Sequence, residues 1–95
     1  MQYEKEDFEK KKARFLRAAG KVAVRLRKVG KNKFAIEYNV PIPTLIKFEN
    51  GQRDVQITTV CRLAHAHGLK CSEFLRLVEA DLPEDFNFYS QLLRV

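Results

Sequence analysis

The chain has 95 residues, of which 45% are apolar, and carries a net charge of +6. That suffices for one small domain with a modest core and is too little for two. The opening MQYEKEDFEKKK contains no apolar h-region, and no apolar run approaches the roughly 18 residues of a membrane span, so neither a secretory leader nor a membrane helix is expected.

Charge is concentrated in one quarter of the chain. Residues 1–9 are net −3, residues 10–33 hold eleven Lys and Arg with no acid, and residues 34–95 are net −2. A solvated helix face normally intersperses acids with bases, so this block points to a polyanion partner. Cys61 and Cys71 are the only cysteines. With no export signal, free thiols and a cytoplasmic location are expected rather than a disulfide.

In chain order, Phe15, Ala19, Val22, Leu26 and Val29 recur in steps of four and three, the stripe of an amphipathic helix. At about 100° per residue, Lys10, Arg14, Arg17, Lys21, Arg25 and Lys28 fall on the opposite face as a basic ridge. The Ala- and Val-rich stripe suits packing against other helices better than insertion into a lipid surface. Acids upstream extend the helix toward the N-terminus, where the macrodipole favours them. Gly30 breaks it and Asn32 is the expected N-cap of a short helix, residues 33–38, burying Phe34, Ala35 and Tyr38. Asn39 is suited to a left-handed turn. In NVPIPTLIKFENGQ, residues 39–52, Pro41 and Pro43 mark the start of a helix of which Gly51 is the stop. A further amphipathic helix is expected over residues 57–67, with Ile57, Val60, Cys61 and Ala64 inward and Gly68 at its end. Ser72 is the expected cap of a last helix, which Pro83 terminates. The reading is all-α: a charged helical extension (1–12), a compact five-helix domain (13–80) with a basic first helix, and a C-terminal segment (81–95).

Ala35, Asn39, Val40, Leu45 and Phe48 have the spacing of two short helices crossing steeply at a tight turn, a helix-turn-helix pattern. Residues 34–75 extend it: Phe34, Ala35, Val40, Thr44, Leu45, Glu49, Gly51, Ile57, Val60, Leu63, Ala64, Gly68, Leu69 and Phe74 match, without gaps, the pattern L-A-x-x-x-G-V-S-x-x-T-I-S-x-x-E-x-G, loop, L-x-x-L-x-x-L-A-x-x-L-G-V. The segment resembles the lambda-repressor-like (Cro/cI-type, XRE) DNA-binding domains. The resemblance implies a recognition helix at residues 41–50 lying in the DNA major groove, in a protein that binds as a dimer. Base-reading candidates are then Ile42, Pro43, Thr44, Ile46 and Lys47. Phosphate candidates are Arg14, Arg17, Lys21, Arg25 and Lys28 on the ridge, with Lys31, Asn32, Asn50, Gln52 and Arg53. Glu49 is expected to pair with a first-helix arginine, Arg25 or Arg27.

The departures from the family pattern bear on the site. The usual glutamine opening the second helix is Lys31, which keeps a phosphate contact but cannot hydrogen-bond a base as an amide does. The usual capping serine is Pro41. Ile42 and Pro43 can only touch a thymine methyl or fill space, which leaves Lys47 as the guanine reader. The tip therefore admits two readings, apolar base contact or a protein-docking patch made by Ile42 and Ile46.

Cys61, His65, His67 and Cys71 have a spacing that invites a zinc reading. On one helix, however, His67 is rotated by about 200° from Cys61, and no metal or cofactor is expected. His67 is expected half-buried and well placed if charged, and His65 exposed. No phosphate loop, activated nucleophile or apolar carboxylate pair is present, so an enzyme is not expected. Phe86, Phe88, Tyr89, Leu92 and Leu93 either fold back over the domain or form a dimer arm. The expected function is that of a dimeric regulator binding specific double-stranded DNA. A helix-turn-helix protein-interaction module (an antitoxin or the partner in a regulatory pair) is the alternative, and RNA binding through the ridge a third.

Overall fold

The computed structural model describes residues 5–89, with side chains from residue 7 onward, and among these it contains helices, turns and no strand. α1 spans Lys5–Leu26, α2 Lys31–Glu37, α3 Ile42–Glu49, α4 Ile57–Ala66 and α5 Cys71–Ala80. The all-α, five-helix architecture is thus as the periodicity predicts, with α1 running unbroken across residue 12. Ala18, Ala19, Val22 and Ala23 of its inner face share one buried core with Phe34 and Ala35 of α2, Leu45 and Phe48 of α3, Leu63 and Ala64 of α4, and Phe74 and Val78 of α5, and α1 itself packs on α3 and α5. Lys10, Arg14, Arg17, Lys21, Arg25 and Lys28 are all exposed. An amphipathic helix whose apolar stripe is buried must turn its charged stripe to water.

Local details differ from the sequence reading. α1 ends at Leu26, so Lys28 and Val29 lie beyond the helix rather than on its two stripes, and the Arg27 guanidinium donates to the Val29 carbonyl at 2.6 Å. Val29 still packs on the core, from outside the helix. The cap of α2 is Gly30, not Asn32, since the Phe34 amide donates to the Gly30 carbonyl at 3.0 Å. Tyr38 is exposed (40%), with its ring against Phe34 at 4.9 Å. Ile57 is exposed (65%) because α4 turns its Leu63 and Ala64 side inward, leaving its first residue outside the core. Ser72 lies inside α5, which begins at Cys71; the helix is capped by Glu73, whose carboxylate accepts the Lys70 amide at 2.8 Å. Asn39 does adopt positive φ (54°), and Gly51 and Gly68 do so at the ends of α3 and α4.

Beyond α5 the chain returns along α1. Asp81 accepts from Arg25 at 3.2 Å, and Lys11 donates to the Asn87 carbonyl at 2.6 Å. Phe86 and Phe88 pack tilted against Phe15, and Phe88 and Tyr89 against Phe8, the last pair stacked. Of the five dimer-arm candidates, Phe86, Phe88 and Tyr89 therefore fold back on their own chain. Leu92 and Leu93 lie outside the described residues.

Candidate nucleic-acid interface

The C-terminal end of α3 is clamped to α1. A Cβ on Gly20 would lie 2.5 Å from the Glu49 carbonyl oxygen, so only glycine permits this approach of the two backbones. Gly51 sits over the Arg17 backbone, where a Cβ would come within 2.8 Å of its Cα. Between these contacts Glu49 is fully enclosed (side chain 0% exposed) and receives two bonds from Arg27, at 2.8 and 3.2 Å. The two sequence candidates for this partner resolve to Arg27; Arg25 faces outward to Asp81. A forked guanidinium matches both carboxylate oxygens, and burial makes each bond stronger than it would be in water.

The N-terminal end of α3 is open. Pro41 occupies the cap position, Pro43 the first turn, and no side chain caps the helix. Ile42, Pro43 and Lys47 are exposed, Thr44 and Ile46 partly so. Ile42 and Glu49 are separated by about 10 Å along the helix axis. The turn before the tip is braced from α4, where Arg62 donates to the Asn39 carbonyl at 3.1 Å. Sequence reasoning did not single out Arg62; a left-handed Asn39 leaves carbonyls free to be braced, but nothing local says from where.

Of the phosphate candidates, Lys10's neighbours on the ridge divide into two groups. Arg25 is held by Asp81, whereas Arg14, Arg17, Lys21 and Lys28, like Lys10, make no ion pair with another described residue. Lys11 and Lys12, off the ridge, pair with Asp7 and Asp54. Arg17 is brought to the α3 corner by the Gly51 contact. Arg53 reaches back to the Thr44 hydroxyl at 3.4 Å, which joins a phosphate candidate to a base candidate. Asn32, Asn50 and Gln52 are exposed, and Lys31 is partly buried at the start of α2. The ridge thus adjoins the clamped end of α3; Ile42, Pro43 and Thr44 occupy the open end, while Ile46 and Lys47 lie in the half nearer the clamp, Lys47 in the last turn.

His67 is half-buried at the end of α4, as expected, but is not well placed to carry a charge. Its ring stacks on Phe34 at 4.9 Å and its Nε2 is buried without a hydrogen-bond partner. Burial lowers its pKa from 6.5, only partly offset by the Glu49 carboxylate, so the helix-end position does not favour the charged form here. His65 is exposed as expected. No group of three or more His, Cys, Asp or Glu side chains among the described residues is placed to hold a metal ion. An apolar recess of about 350 Å³ lies between α1, Phe48, Val55 and Phe74, and Lys12 and Asp54 are its charged lining residues. No described helix is long and apolar enough to cross a membrane. Compared with known proteins, the chain matches no family model, no curated protein and no solved structure.

Proposed function

We propose that this protein is a DNA-binding regulator of the lambda-repressor-like type, a cytoplasmic dimer that reads specific double-stranded sequences through α3. One observation carries the reading: Lys10, Arg14, Arg17, Lys21 and Lys28 form an exposed cationic row unpaired within the described chain. From Lys10 to Lys21 it presents a charge roughly every 5 Å along α1, and Lys28 follows beyond the helix end. Such a row raises the free energy of the isolated chain by self-repulsion, and phosphates relieve it. The α3 corner at Arg17 and the α3 tip lie about 10 Å apart along the axis, within the roughly 12 Å width of a major groove. On this reading Lys47, Thr44, Ile42, Pro43 and Ile46 meet base edges, while the row and Arg53 hold the flanking phosphates.

The test is a titration with duplex DNA of random sequence at several salt concentrations. If about six bases each displace a counterion, log K falls with log[salt] at a slope near −5. A slope near zero removes the reading. Arg17→Ala with Lys21→Ala weakens all sequences alike, whereas Lys47→Ala changes which sequence is preferred.

A protein-docking function is favoured by a different observation. Ile36 is 77% exposed, and with Ile57 and Ile42 it leaves branched apolar side chains on the surface of α2, α4 and α3. On that reading Ile42→Asp abolishes a protein complex and leaves DNA affinity at its nonspecific level.

A further inference from the structure

We infer that Cys61 and Cys71 are a reversible thiol–disulfide pair, closed by exchange with a low-molecular-weight disulfide of the glutathione class. Cys61 lies in the second turn of α4 and Cys71 is the first residue of α5, the helix packed against it. Gly68, at positive φ, turns the chain between them. The fold thereby brings together two residues that ten positions of sequence separate. Both are free thiols and both are partly exposed, so a small disulfide can reach the pair without unfolding the domain. Their side chains interact: Cys61 is the first cause holding the Cys71 thiol above its ordinary range. A structural cysteine used as a small hydrophobe would be enclosed, and neither of these is.

The exchange balances in two steps. One thiolate of the pair attacks a sulfur of the small disulfide, forming a mixed disulfide and releasing one small thiol. The second thiolate then attacks the protein sulfur of that bond, closing Cys61–Cys71 and releasing the other small thiol. Two electrons pass from the protein to the oxidant, and the two protons are carried away on the released thiols. Because the thiolate is the attacking form, closure is faster as pH increases.

The experiment uses the whole folded chain with oxidised glutathione, read by intact mass and by peptide mapping without reductant. Closure gives a loss of about 2 Da and a peptide pair joining residues 61 and 71, both reversed by a dithiol. Cys61→Ser or Cys71→Ser stops at a stable glutathione adduct on the remaining cysteine. The wild-type chain also closes faster folded than unfolded in urea, because the fold holds the thiols together. Stable adducts on both cysteines of the wild-type chain, joined pairs found only between chains, or closure only in urea overturns the inference. None of these readouts involves DNA, so the result stands apart from the proposed function.

Discussion

The two ends of α3 are built in opposite ways. At its C-terminal end an enclosed carboxylate, a forked arginine and two glycines fix the helix against α1. At its N-terminal end two prolines and an exposed isoleucine face outward with no cap. Over eight residues the helix passes from a position where nearly every change disturbs the fold to one where few do. That is the arrangement a surface-reading element requires: one end supplies rigidity so that the other can be chosen for what it touches.

The contrast can be broken by mutation. Arg27→Met leaves the Glu49 carboxylate enclosed and unpaired, which costs about 3–5 kcal/mol. Arg25→Met removes only an exposed ion pair with Asp81, worth at most about 1 kcal/mol. Urea unfolding of the two variants measures the difference, and equal losses would mean that the clamp is not where the stability lies. Gly20→Ala should cost about 2 kcal/mol even though alanine favours helix, because its Cβ meets a backbone carbonyl that cannot step aside. Thermal unfolding reads this, and a gain in stability would show that the α1–α3 contact is looser than described.

The pH dependence of His67 sharpens the comparison from the side of the clamp. Its folded pKa is depressed, so as pH falls through 6.5 the unfolded chain takes up the proton first and stability declines. The loss continues until pH reaches the lower folded pKa. His67→Phe should therefore flatten the change in urea midpoint between about pH 7.5 and about pH 5.5, a range above most carboxylate titration. The smallest effect belongs to the exposed side chains of α3. Ile42→Asp and Lys47→Ala should each alter stability by less than about 0.5 kcal/mol, as surface changes do. A large loss in either would mean that the outer face of α3 is part of the fold.

Much of this was legible in the residues because it is local. The ridge on α1 follows from periodicity alone, the start of α3 from the tolerance of proline in a first turn, and the turns at Asn39, Gly51 and Gly68 from the residues that accept positive φ. The caps are less legible: Gly30 and Lys70, which offer no side-chain acceptor, occupy the cap positions in place of Asn32 and Ser72. The candidate interface was legible as a set of exposed residues, but the arrangement of that set was not.

The sequence by itself determined the helices, the sign and face of the charge, and the two proline-marked residues that open α3. Only the tertiary structure decided that Arg27 rather than Arg25 holds Glu49, that Gly20 lies against the Glu49 backbone, and that Phe86, Phe88 and Tyr89 cover α1. The physical reason is the same for all three. Helical period and backbone preference act between residues a few positions apart, whereas partner choice depends on which surfaces the packed core brings together, and neighbouring positions on one helix can face opposite ways.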